Sequence, residues 1–350
     1  MHSHARPLVS IVLPAYNEAG VLAENVAVFQ EYLQTLASQY RFEVIIVNDG
    51  SKDATAEIAE KLASEYPNIR VAHHPTNFGL GQAFKTAFAA SHGDYVVTMD
   101  IDLSYSPEHI GRLLESITRT RAKLVLASPY MKGGRLTNVP WLRKTLSVWG
   151  NRFLRVFARG NISTITCMVR AYDGRFIRSL VLRGTGMEIM PEVVYKTMVM
   201  RGKIEQIPAH LDWTLQLAAG PRRASSMRII KHIFSTVLSG FAFRPFMFLV
   251  MPGLALLAFS VYTNFWMLMH FFEALAALPP DLPGSRASAA VAEAFAKYPH
   301  TFVVGLLSLM LSILLVGLGI LALQAKRYFE ELYYLGVATR RELLQDAAEK

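Results

Sequence analysis

The 350-residue sequence is short of cysteine and of charge. Its single cysteine, Cys167, excludes an intrachain disulfide and fits a reducing compartment. Charged residues are only 18% of the chain against 52% hydrophobic, which leans away from an ordinary soluble domain. Met1 to Pro7 holds no apolar stretch of signal-peptide length, so membrane targeting is expected from the C-terminal half. The net charge of +9 comes without a zinc or recognition-helix pattern, so nucleic acid is not the expected partner. His73 and His74 sit in no metal-ligand pattern and read as turn residues.

Charge is absent altogether from two later stretches, 27 residues from Phe246 to Phe272 and 25 from Thr301 to Ala325. A bilayer span needs roughly 20 residues, so both are long enough to cross. Pro279, Pro280, Pro283 and Gly284 mark the segment between them as a loop. Arg222, Arg223, Arg228, Lys231 and Arg244 precede the first stretch with no acid among them, and five more Lys or Arg follow the second. The loop carries only Arg286 and Lys297, so both ends are expected in the cytoplasm and the loop outside. Residues 225–245 mix basic and apolar positions at helical spacing, as an interfacial helix would, although an ordinary helix fits too.

Ahead of the membrane part, Val9 to Leu13, Val44 to Val47 and Tyr95 to Met99 are short Val- and Ile-rich runs that end at turn or polar residues. They read as buried strands, with Leu124 to Ala127 and Ile204 to Ile207 as further ones. Helical spacing over Glu18 to Tyr40, Ala54 to Tyr66, Gly81 to Ala90 and Glu188 to Met200 alternates with them. The alternation predicts an α/β domain with a mainly parallel sheet, whose ligands bind beyond the carboxyl ends of the strands. Residues 132–162 read as a loop followed by a helix.

Polar clusters lie at those strand ends. Pro14, Ala15, Tyr16, Asn17 and Glu18 follow the first strand. Asn48, Asp49, Gly50 and Ser51 follow the second, with Ser51 or Asp53 a candidate helix cap. Asn77 to Gly81, containing Gly79, is a glycine turn opening a helix and weak evidence for phosphate binding. Asp100 and Asp102, two residues apart at the end of the third run, can converge on one hard cation, though a solvated turn would read the same way.

In their order the four clusters resemble family 2 glycosyltransferases of the GT-A fold, over roughly residues 8 to 215. With the apolar hairpin, the chain resembles the polyprenyl-phosphate glycosyltransferases, of the dolichol-phosphate mannose synthase or undecaprenyl-phosphate glucosyltransferase type. The resemblance implies a cytoplasmic catalytic domain over residues 1–224, a juxtamembrane segment at 225–245, a hairpin at 246–325 and a cytoplasmic tail at 326–350, in an inner or plasma membrane. It implies metal-dependent, inverting transfer of a sugar from a nucleotide-sugar such as UDP-glucose or GDP-mannose to polyprenyl phosphate. Pro14 to Glu18, Asp49, Gly50, Ser51, Gly79 and Asp100 would hold the nucleotide-sugar. Asp100 and Asp102 would hold Mg²⁺ or Mn²⁺, and Arg143, Arg170, Arg222 and Arg223 would meet the lipid phosphate, with Arg143 and Arg170 also counted as catalytic. Homo-oligomers are common among similar proteins. The chain departs from the family pattern at Asn48, where an acid is usual, at Pro129 in place of an arginine, and at Thr164 and Met168 in place of an acid and a glycine. No Gln-x-x-Arg-Trp motif of processive polysaccharide synthases is present. The alternative is a catalytically silent membrane scaffold that keeps nucleotide or lipid binding.

Overall fold

The computed structural model describes residues 6–139, 162–214, 245–280 and 282–349, together with positions 141, 145 and 148. Arg143, Arg222, Arg223 and most of the 225–245 segment lie outside the described residues. The chain divides into two compact units, residues 1–240 with 332–350 and residues 241–331.

In the first unit the five expected strands form, as β1 (Leu8–Ala15), β2 (Arg41–Asn48), β4 (Tyr95–Thr98), β5 (Leu124–Ser128) and β8 (Ile204–Pro208). Two strands that were not expected join them, β3 (Ile69–His73), which takes in His73, and β7 (Arg170–Asp173), in the order β3-β2-β1-β4-β7-β5-β8. All pairs are parallel except those of β7, which runs antiparallel between β4 and β5. Alternate side chains of a strand point to opposite faces, and both faces here are dry. Val44 and Ile46 of β2 therefore face one core with Phe29 of α1 (Leu22–Thr35) and Leu113 of α4 (Glu108–Thr120). Ile45 and Val47 face another with Phe84 of α3 (Leu80–Ala90) and Val193 of α6 (Ile189–Val199). Helices α2 (Thr55–Glu65) and α5 (Gly174–Ser179) complete the two covering layers. Burying each such side chain contributes about 1.5–3 kcal/mol, so strands apolar on both faces are covered by helices on both. Residues beyond β5 and β8 make a second, two-stranded sheet, β6 (Arg135–Thr137) with β9 (His210–Asp212).

The second unit holds α7 (Pro245–Ala277) and α9 (Pro299–Glu349) as far as residue 331, and these helices are long and apolar enough to cross a membrane over 248–277 and 299–340. The intervening segment is not wholly a loop, as its prolines suggested. It contains α8 (Arg286–Lys297), capped where the Ser285 hydroxyl accepts the Ser288 N–H, with Ala290 and Ala294 buried. Its alanine-rich sequence favours helix once the Pro–Gly turn before it has closed. The two long helices approach closely at small residues. Asn264 donates its amide to the carbonyl of Gly305 at 3.0 Å and to that of Ser260 at 2.8 Å. Polar bonds of this kind join helices where the surroundings offer no hydrophobic drive.

Candidate active site

The carboxyl ends of β1, β2 and β4 open onto a cleft of about 640 Å³. Pro14, Ala15, Tyr16, Glu18, Asp49, Gly79, Asp100 and Asp102, from four separate sequence clusters, all line it. The parallel register explains the convergence. Ala15 pairs with Asn48 and Val12 with Thr98, so the three chains leave the sheet side by side.

The loops after β1 and β2 are bonded to one another. Asn17, in the left-handed region at φ 55°, donates its N–H to Ser51 Oγ at 3.0 Å and accepts the Lys52 N–H at 2.8 Å. Glu18 N–H reaches Thr55 Oγ1 at 2.9 Å, and Ala19 N–H reaches Asp53 at 3.2 Å. The N-cap position of α2 is Ala54, not Ser51 or Asp53, but the Asp53 carboxylate accepts the N–H of Thr55, the first residue of the helix, at 3.1 Å. Slight burial opposes ionisation of Asp53, but the bonds from Thr55 and Ala19 outweigh it and hold the carboxyl below its usual range.

Asp49 is buried and braces the next loop. Its oxygens accept the N–H groups of Phe78 at 3.0 Å and Gly79 at 2.9 Å, and it pairs with His74 Nδ1 at 2.7 Å. His74 is thus a core partner of Asp49, not a turn residue, and its Nε2 meets Thr86 Oγ1 at 2.8 Å. Spacing gave no sign of this, because the pair forms only when β2 and β3 lie side by side. Asn48, where an acid was usual, donates its amide toward His73 Nδ1 at 3.0 Å and accepts the Ser51 N–H. Gly50 at φ 65° and Gly79 at φ 93° are required. A Cβ on the first would lie 2.2 Å from the Thr76 carbonyl carbon, and on the second 2.5 Å from the Thr185 oxygen. The Thr185 carbonyl also takes the N–H groups of Gly81 and Gln82, so the first turn of α3 already has an acceptor in place of a phosphate.

Asp100 and Asp102 stand two and four residues past the end of β4. Ser104 Oγ reaches Asp100 at 3.3 Å and the Ser104 N–H reaches Asp102 at 3.0 Å. No group of three or more His, Cys, Asp or Glu side chains placed to hold a metal occurs among the described residues. Two hard carboxylates beside an open cleft suit Mg²⁺ or Mn²⁺ completed by substrate phosphate oxygens and water, and do not suit a closed structural zinc site.

The inner end of the cleft is formed by residues leading into β7. Thr164, 1% exposed, lines the cleft, and its hydroxyl has no hydrogen-bond partner among the described residues. Cys167 and Tyr105 lie beside it. Burial pushes the Cys167 thiol up to about 11, although Arg170 opposes the shift. Burial, with Cys167 and Asp100 nearby, holds the Tyr105 phenol well above its usual value. Arg170 itself corrects an expectation. It is 0% exposed and does not line the cleft. Its guanidinium donates to the carbonyls of Cys167 at 2.6 Å, Ile165 at 2.6 Å and Met190 at 2.9 Å. A side chain sealed in this way ties the cleft floor to α6 and is not presented to a lipid phosphate. Leu211 and Trp213, at and just after β9, also line the cleft and carried no signal in the sequence.

Over 208 residues the chain is 31% identical to the undecaprenyl-phosphate mannosyltransferase of Micrococcus luteus, covering 57% of this chain and 82% of that protein. The profile of glycosyl transferase family 2 matches residues 10–181. The chain belongs to glycosyltransferase family 2. The glycosyltransferase is also similar to dolichol-phosphate mannosyltransferase of Pyrococcus furiosus, at 37% identity over 139 residues, 40% of this chain and 38% of that protein. With glycosyltransferase AglD of Haloferax volcanii the identity is 34% over 172 residues, 49% of this chain and 27% of that protein. The chain therefore spans well under two thirds of these last two relatives. Among solved structures, glucosyl-3-phosphoglycerate synthase from Mycobacterium tuberculosis, in complex with Mn²⁺, uridine diphosphate and phosphoglyceric acid, aligns at a TM-score of 0.49 and 20% identity, over 67% of this chain and 78% of that one.

Proposed function

We propose that this glycosyltransferase moves a sugar from a nucleotide diphosphate to polyprenyl phosphate, with inversion at the anomeric carbon, and that the sugar is mannose, as the names of the relatives from Micrococcus luteus and Pyrococcus furiosus suggest. The observation that carries the reading is the gathering of the Pro14–Glu18 loop, Asp49, Asp100 and Asp102 around one cleft. Asp100 and Asp102 would hold Mg²⁺ or Mn²⁺ against the donor diphosphate. When bound, the ion supplies positive charge to the departing nucleoside diphosphate. The loops after β1 and β2 would seat the nucleotide. Thr164 would offer a neutral hydroxyl to the donor where it lines the cleft. An acceptor phosphate is already an anion, so no side chain needs to deprotonate it, and catalysis would rest on positioning and charge. Arg143, Arg222 and Arg223 are the proposed cations for that phosphate.

The hairpin α7–α9 would anchor the enzyme in the bilayer, and the Lys and Arg distribution supports a cytoplasmic first unit. Purified protein in detergent, given undecaprenyl phosphate, Mg²⁺ or Mn²⁺ and labelled UDP- and GDP-sugars, should make a labelled lipid that Asp102→Ala abolishes. The replacement of an acid by Thr164 favours a second reading, a silent scaffold. Nucleotide binding without turnover of any donor in the panel would support it.

A further inference from the structure

Residues 180–188, between α5 and α6, touch two elements at once. On one side the Thr185 carbonyl accepts from Gly81 at 2.8 Å and from Gln82 at 3.3 Å, while Met187 lines the cleft beside Gly79 and Leu80. On the other side lies the distal part of α9, which belongs to the same unit. The Tyr333 hydroxyl accepts the Val181 N–H at 3.1 Å and donates to the Val181 carbonyl at 3.3 Å. Arg340 donates to the Leu180 carbonyl at 3.4 Å. Lys196, 5% exposed, sits 4.9 Å from the centre of the Tyr333 ring, donates to the same Val181 carbonyl and pairs with Glu192. Glu192 in turn accepts the N–H groups of Arg183 at 2.8 Å and Gly184 at 2.7 Å.

We infer that Tyr333 is a positioning residue for the cleft, tethering the 180–188 loop so that Thr185 stays seated on the opening turn of α3. Leu180 to Glu188 lies in no helix or strand; Glu188 and Glu192 hold the N–H groups of its residues 183 to 186, which leaves its first residues, Leu180 to Leu182, to the contacts with α9 and Lys196. Val181 has no ladder partner, and one hydroxyl serves both its backbone groups. Lys196 shares the Val181 carbonyl and Glu188 holds the Thr185 N–H at 3.0 Å, so loosening the Tyr333 hydroxyl frees one of the loop's ties and partly loosens Thr185, and with it the Gly79–Gly81 wall that Asp49 braces from the other side. The tail of α9 thereby reports to the cleft, a task quite separate from anchoring.

The inference rests on the reading of the cleft as a nucleotide-sugar site, so its test has one arm that needs no ligand. Full-length protein in detergent is compared as wild type, Tyr333→Phe and Tyr334→Phe, the last at a neighbour that is 50% exposed. Hydrogen exchange over 180–186 and 79–83 should quicken about threefold to tenfold in Tyr333→Phe, the size expected for one or two neutral hydrogen bonds. Affinity for Mn²⁺-UDP or Mn²⁺-GDP should fall by a similar factor, with the melting curve and the Tyr334→Phe control unchanged. Unchanged exchange at 79–83 overturns the tether. Faster exchange with unaltered nucleotide affinity overturns its positioning role. A wild-type chain that binds neither nucleotide refutes the donor-site reading alone, since exchange at 79–83 still decides the tether.

Discussion

Replacing Arg170 separates a structural arginine from a phosphate ligand. Arg170→Met keeps the apolar stem and removes all three donors, leaving the carbonyls of Ile165, Cys167 and Met190 without the guanidinium that now satisfies them. A buried acceptor that loses its partner costs about 1–3 kcal/mol. Three of them, partly relieved by movement of the 165–169 segment, place the loss at about 3–5 kcal/mol. For a unit of this size each kcal/mol lowers the melting temperature by roughly 2–4 °C, so the variant should melt roughly 6–20 °C lower. Arg170→Lys should recover only part of the loss, because one ammonium cannot span carbonyls on both β7's approach and α6. The assay is thermal unfolding in detergent by intrinsic fluorescence, alongside KM for the lipid acceptor on the fraction still folded at low temperature. A variant that melts like wild type but binds acceptor tenfold more weakly would refute the reasoning and return Arg170 to the lipid phosphate.

Other consequences can be checked directly. Cys167, with its thiol raised to about 11, should be alkylated by iodoacetamide very slowly at pH 7.5 and about a hundredfold faster at pH 9.5; rapid stoichiometric labelling at pH 7.5 would contradict its burial. Gly79→Ala must place a Cβ at φ 93° against a backbone oxygen, which costs about 1–3 kcal/mol, and a nucleotide titration should show weakened binding. Burial opposes ionisation of Glu43, but bonds from Ser10 and the His92 N–H, with the charge of Arg70, prevail and lower its pKa below the ordinary 4.5. A lowered folded value means that its stabilisation is present above pH 4.5 and lost as pH falls through the folded value. Glu43→Gln should therefore flatten the acid limb of a stability-against-pH curve and leave its shape near neutrality unaltered.

Five strands of the main sheet and the four polar clusters of the cleft were legible because their signals are local, whereas β3 and β7 were not read. Val44 to Val47 is apolar without interruption and Val9 to Leu13 is broken only by the buried Ser10, as strands buried on both faces need to be. Asp100 and Asp102 announce themselves by spacing at a strand end. What stayed hidden depends on contacts between distant segments. The Asp49–His74 pair joins residues 25 apart, and nothing in a two-histidine run says which one turns inward. The role of Arg170 depends on Met190, supplied by a helix 20 residues later. Helix α8 was masked by Pro279, Pro280 and Pro283, which end one helix without forbidding the next. Trp213 reaches the cleft only because β9 pairs with β6, across more than 70 residues of sequence.

The bonds between Asn17, Glu18 and Ala19 on one loop and Ser51, Lys52, Asp53 and Thr55 on the other have a thermodynamic consequence. The conformational entropy of both loops is lost during folding, before any donor arrives. A nucleotide entering that side of the cleft meets a surface already in its final shape, so its association should show a small entropic penalty and a small heat-capacity change. Binding there would resemble a rigid key seat more than a closing hand, and discrimination among nucleotides would follow from fixed geometry and not from how readily the loops rearrange.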